Sequence, residues 1–176
     1  MPLNLPALEA AQKALVLHDV YFRDEQVALD PELTPGFIPP APHVHFKMTT
    51  GLLHDFTVEG QDGDGQTVSV RFLEAEFKGH VRCRSDQSIA SDTPDVLRIE
   101  VSLGLLYRVV SECSQDCIEE FVRANVPFHA IPYWREHVHA VCAKRRLPPI
   151  TVPMYQRFPP ADRDTEAESH APSNAR

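Results

Sequence analysis

Asn125-Val126-Pro127-Phe128-His129-Ala130-Ile131-Pro132-Tyr133-Trp134-Arg135-Glu136, followed further on by Leu147-Pro148-Pro149-Ile150-Thr151-Val152-Pro153, is the most informative stretch of the chain. Ile131, Trp134, Val138, Val141 and Cys142 recur at helical spacing and share one face. Pro132 suits a first helical turn, where its missing N–H has no bond to lose. Lys144, Arg145 and Arg146 stand where the helix dipole favours cations, and Pro148-Pro149 stops the helix. The spacing predicts a helix over roughly 130–146. A second helix precedes it. Ser114 suits its N-cap, Asp116 its first turn, and Cys117, Ile118, Phe121 and Val122 form its apolar stripe. Pro127 is expected to end it.

Upstream the period is two. Lys13 to Asp30 reads as a strand with apolar groups on both faces, so both are expected to be covered. Pro31, Pro35, Pro39, Pro40 and Pro42 follow, and proline cannot donate to a ladder. That segment is therefore an extended loop carrying Phe37 and Ile38. His43 to Thr50 alternates as a half-buried strand. Thr67 to Cys83 is another, with its apolar phase changing between Phe72 and Leu73. That change predicts a bulge or a strand whose halves bury opposite faces. Val96 to Val110 is the fourth, with Gly104 marking a bulge or a close backbone approach. Strands in a run followed by helices in a run predict an α+β fold: a four-stranded antiparallel sheet, then two helices packed on one side.

Composition narrows the function. The 176 residues carry 25 acids against 17 Lys and Arg, a net charge of -8, which disfavours generic binding to phosphate backbones. No apolar run approaches the ~20 residues that span a bilayer, and Met1 to Gln12 lacks the pattern of a secretory signal. A cytoplasmic protein with reduced thiols is expected. Seven glycines form no phosphate-binding loop, so nucleotide chemistry has no visible seat. The stretch Asp62-Gly63-Asp64-Gly65 imitates a calcium loop, but Leu73 stands where the closing acid belongs. A tight hairpin turn is the better reading.

No catalytic residues, metal site or cofactor are expected. His43 and His45 share a strand face but lack further ligands. His137 and His139 point about 200° apart on a helix and cannot chelate together. Cys113 and Cys117 have no second cysteine pair at zinc-ribbon spacing. Tyr133 and Trp134 are of a kind more often found in cores than in contacts.

The two quoted segments resemble the C-terminal signature of the SecB family of protein-export chaperones, in particular its divergent SecB-like members. In that family an aromatic-Pro-Tyr-x-Arg-Glu element opens a long helix, and a Leu-Pro-Pro-hydrophobic-Thr-hydrophobic run closes it. Val20-Tyr21-Phe22-Arg23-Asp24, Val44 to Thr49 and Ile99 to Tyr107 are similar to the family's strands. The resemblance covers roughly residues 13–155. It implies a chaperone domain over 13–155 after an N-terminal extension over 1–12, and the polar, proline-bearing composition beyond it predicts a disordered tail over 156–176. It also implies a cytoplasmic homotetramer, built as a dimer of dimers, that holds unfolded preproteins without ATP and delivers them to the SecA export motor. By position, Phe37, Ile38, Tyr133 and Trp134 would line the client groove, and Asp24 and Glu100 would form an acidic docking face. The chain departs from export members after the Pro-Pro segment, where Gln156 to Arg176 has no helical stripe. Some SecB-like members act on the antitoxin of a toxin–antitoxin pair, which is the alternative. A small-ligand domain with a pocket lined by Tyr107, Phe77 and Trp134, and a metal-dependent enzyme using His43 and His45, are the readings from other classes.

Overall fold

A computed structural model of the chain describes residues 3–33, 43–61, 63–84 and 95–155. The elements run α1 (Leu5–Ala14), β1 (Leu15–Leu29), β2 (His43–Gln61), β3 (Thr67–Arg84), β4 (Leu97–Val109) and α2 (Gln115–Lys144). The strands form one antiparallel sheet in the order β1-β4-β3-β2. The α+β expectation holds, with a four-stranded sheet and helices on one of its faces.

The core lies between that face and α2. Leu73, Ala75, Phe77 and Val81 of β3 and Ile99, Leu103, Leu105 and Tyr107 of β4 point toward Ile118, Phe121, Val126, Ile131, Trp134 and Val138. Each strand buries every second residue there, as the pleat requires. The apolar phase change in β3 has the second of its expected causes. The β3–β4 register runs unbroken from Phe72 to Cys83, so β3 carries no bulge against β4. Its C-terminal half buries side chains under α2. Its N-terminal half turns Phe72 to the other face, stacked on Phe56 at 5.9 Å. The bulge sits in β2 instead, between Leu52 and His54.

Two glycines admit close neighbours. A Cβ at Gly79 would stand 2.6 Å from the Trp134 ring, and one at Gly104 would stand 2.5 Å from the Tyr21 ring. Gly104 thus marks a close approach across β1 and β4. β2 and β3 pair antiparallel as the expected hairpin, with Gly65 before β3 at φ +77°, a conformation that L side chains rarely adopt.

The helices differ from the sequence reading. Residues 115–144 form one helix, not two, and it runs through both Pro127 and Pro132. Each interior proline removes a backbone bond and costs about 3 kcal/mol. Burial of Val126, Ala130, Ile131 and Trp134 along the same stretch outweighs that cost. Pro127 cannot donate to the Arg123 carbonyl, and the Tyr155 hydroxyl donates to that oxygen at 3.5 Å. Pro132 is exposed, so little burial offsets its lost bond. Pro132→Ala is therefore expected to stabilise the protein by about 2 kcal/mol, the helical gain less the freedom that alanine restores to the unfolded chain. A shift of the urea midpoint upward at unchanged slope would show it, and an unchanged midpoint would refute it.

The other difference is α1. Its signals are local: Asn4 accepts from the Ala7 amide at 3.3 Å as N-cap, and Pro6 lies in the first turn. Leu8, Ala11 and Ala14 are buried against α2, and Gln12 Nε2 donates to Asn125 Oδ1 at 3.1 Å. The strand that was expected from Lys13 begins at Leu15.

Candidate functional site

β1 lies at one edge of the sheet, and its helix-side residues are only partly covered. Register places Leu17 beside Tyr107, Val20 beside Leu105 and Phe22 beside Leu103. Beyond this edge lie the middle of α2 and the segment 147–155, which doubles back after the helix. Pro148-Pro149 prevents further helix and keeps that segment extended. Leu147 and Val152 anchor it in the core.

Between these parts runs an apolar groove of about 550 Å³, lined by Leu17, Phe128, His129, Ile131, Pro132, Arg135, Met154 and Tyr155. Phe128 is 54% exposed and Met154 70% exposed, values unusual for such side chains in a folded chain. Arg135 donates to the Met154 thioether, which holds the rim. His129 Nδ1 meets the Tyr107 hydroxyl at 3.0 Å, which fixes the imidazole at the groove floor. Burial pushes the Tyr107 phenol well above its ordinary pKa, so it stays neutral. A smaller apolar cleft of about 250 Å³ opens at the other end of the same segment, among Val44, Phe46, Leu97, Leu147 and Pro148. The surface is built to cover apolar groups.

The residues singled out in the sequence fall in different places. Phe37 and Ile38 lie outside the described residues. Tyr133 is 42% exposed on α2, next to the groove-lining Pro132. Trp134 faces the other way: it is 2% exposed, packed on Gly79, Phe77 and Phe46. Its place is in the core and not on a groove surface, because the helix turns consecutive residues about 100° apart. Asp24 and Glu100 share the helix-free face of the sheet, on adjoining rows of β1 and β4. Asp24 is exposed. Glu100 instead lies 3.7 Å from Arg98, 3.9 Å from Arg82 and 3.6 Å from the His80 imidazole. Sequence reasoning missed Leu17, Phe128 and Met154. Phe128 carried a signal, an aromatic directly after Pro127, but a helix ending there hid which face it would occupy.

The readings from other classes fare as follows. Tyr107, Phe77 and Trp134 are each at most 2% exposed and fill the core themselves. His43 and His45 do share the helix-free face. Among the described residues no three His, Cys, Asp or Glu side chains stand together as metal ligands. The cysteines are free, and burial pushes the Cys83 thiol up to about 11, away from reactivity. Among the described residues no helix is long and apolar enough to cross a membrane.

On the helix-free face, the centre is a polar network. Glu74, 8% exposed, accepts from the Tyr21 hydroxyl and pairs with Arg23. Glu76 accepts from Ser102 at 2.7 Å and pairs with Lys78 at 3.0 Å. Burial raises the Glu76 carboxyl, but those two hydrogen bonds outweigh it and hold the group below its ordinary value.

No protein-family profile matches the chain, and no curated protein matches it. Among solved structures it is similar to a SecB-like chaperone of Mycobacterium tuberculosis, in complex with a ChAD peptide from the HigA1 antitoxin. The TM-score is 0.59 at 15% identity, covering 87% of this chain and 99% of that one. The fold of the chain is thus SecB-like, as its C-terminal signature implied.

Proposed function

We propose, from the SecB-like fold, that this protein is an ATP-independent holdase that shelters unfolded polypeptide in the groove between β1, α2 and the segment 147–155. The observation that carries the reading is the exposure of Phe128 and Met154 along one continuous apolar trough. Each apolar side chain of a client buried there gains about 1.5–3 kcal/mol, whatever the client's sequence. Folded proteins bury most of such side chains, so selection for the unfolded state follows from the chemistry. Phe37, Ile38 and Tyr133 extend the client surface in this reading.

The protein works as a homo-oligomer in the cytoplasm under the same proposal. Val16, Leu17, Tyr21 and Phe22 along β1 are all more than a third exposed, more apolar strand surface than a lone chain keeps in water. A tetramer arranged as a dimer of dimers is the assembly the SecB resemblance implies.

Two client readings differ. The similar solved structure holds an antitoxin peptide, which favours a chaperone dedicated to a partner segment of that kind. Preprotein delivery to the SecA motor would use Asp24 and Glu100. That reading has less support, since Glu100 is shared among Arg82, Arg98 and His80.

The test is light scattering from a chemically unfolded client diluted into buffer without nucleotide. Suppression at near-stoichiometric protein is expected. Undiminished aggregation at every ratio, together with no binding of any unfolded segment, would sink the holdase reading.

A further inference from the structure

The helix-free face changes character toward the end of the sheet where β2 begins. Register sets His43 opposite Arg84, His45 opposite Arg82 and Lys47 opposite His80. Across β3 and β4 it sets Arg82 opposite Arg98. Facing residues in an antiparallel pair project from the same face. Lys47, Arg82, Arg84 and Arg98 thus bring four permanent cations together. The carboxylates paired with them among the described residues are Glu100 and Asp95. This happens in a chain whose net charge is -8.

Among the described residues, Lys47, Arg82 and Arg98 are incompletely neutralised. Arg82 and Arg98 lie 3.9 and 3.7 Å from the one Glu100 oxygen they share, and their side chains stay 45% and 43% exposed. Lys47 has no ion-pair partner among the described residues. Like charges directly opposite on neighbouring strands repel, and Glu100 and Asp95 offset the Arg82–Arg98 repulsion only in part, at 3.7–3.9 Å. A cleft of about 350 Å³ opens here, among His45, Lys47, His80, Arg82 and Arg84.

The cleft follows an edge. Among the described residues β2 is the outermost strand, hydrogen-bonded to β3 on one side only. Its outward N–H and C=O groups can pair with one more extended strand. On such a strand every second side chain would point to the face that carries Lys47 and Arg82.

We propose that this edge and face dock an acidic polypeptide segment, extended along β2, with carboxylates at alternate positions over Lys47, Arg82 and Arg98. Two observations favour a polypeptide over a nucleic acid. Only a polypeptide completes the backbone ladder of β2. A long phosphate backbone would also run from this small patch onto the acidic remainder of the chain.

The test uses the full chain and a labelled synthetic peptide with Glu at every second position. Its Gln counterpart and a single-stranded DNA oligonucleotide are the comparisons. The Glu peptide is expected to bind at least about tenfold more tightly than the Gln peptide, and to weaken as salt rises. Arg82→Glu and Lys47→Glu should each lose about tenfold while retaining the unfolding midpoint, since both side chains are exposed. Suppression of client aggregation should stay unchanged in both variants, because the apolar groove lies on the other face of the sheet. Equal binding of the Gln peptide, no effect of either substitution, tighter binding of DNA, or no binding at low salt would each overturn the proposal.

Discussion

Trp134→Ala is expected to lower the unfolding free energy by about 3–5 kcal/mol, the cost of deleting a buried aromatic. The ring is 2% exposed and lies flat against the backbone at Gly79, with Phe77 at 5.5 Å and Phe46 at 6.3 Å between centroids. Neighbours on a rigid sheet collapse little into the space it leaves. The indole Nε1 is buried and has no hydrogen-bond partner among the described residues. Trp134→Phe therefore loses volume but also relieves an unsatisfied donor that itself costs about 1–3 kcal/mol. It should cost much less than the alanine change. Gly79→Ala alone should be severe, since its Cβ would meet the ring at 2.6 Å. In the Trp134→Ala background the same change should cost little, because the clash is gone. Urea unfolding of the four proteins of that cycle measures the coupling. Additive effects would mean that the ring does not rest on Gly79.

The second large effect concerns the groove. Phe128→Glu with Met154→Glu is expected to weaken client holding roughly 100-fold, the loss of about 3 kcal/mol of apolar contact. Both side chains are mostly exposed, so the unfolding midpoint should barely move. Binding of an unfolded client followed by fluorescence anisotropy, alongside a urea curve, separates the two quantities. Lost holding with lost stability would make these residues structural. Unchanged holding would move the client surface elsewhere, toward Tyr133 or the residues around Phe37 and Ile38.

These contrasting roles were only half legible in the residues. Tyr133 and Trp134 are neighbours with similar chemistry, and helical rotation sends one to solvent and the other under the sheet. Fixing that rotation requires the whole of α2. Reading Pro127 as a stop divided the helix and left its phase free. Local propensity is worth a few kcal/mol per proline, whereas the burial of Val126, Ala130, Ile131 and Trp134 acts together over the same stretch. Glu100 teaches the same lesson in charge. Its position in a strand was readable, but the Arg82, Arg98 and His80 side chains around it come from β3 and β4 at separated sequence positions.

By itself the sequence determined the α+β class and the hairpin that pairs β2 with β3. It also determined β3 and β4 to within a residue at each end, because alternation and turn chemistry are local. Its C-terminal segments also carried the SecB resemblance. The tertiary structure alone decided that α2 is unbroken and that residues 5–14 form a helix docked on it. It alone brought Leu17, Phe128 and Met154 into one trough, and gathered Lys47, Arg82 and Arg98 on one face. The physical reason is the same in each case. Burial and charge sum over groups that meet only when distant strands and the helix come into register, and no local pattern encodes that sum.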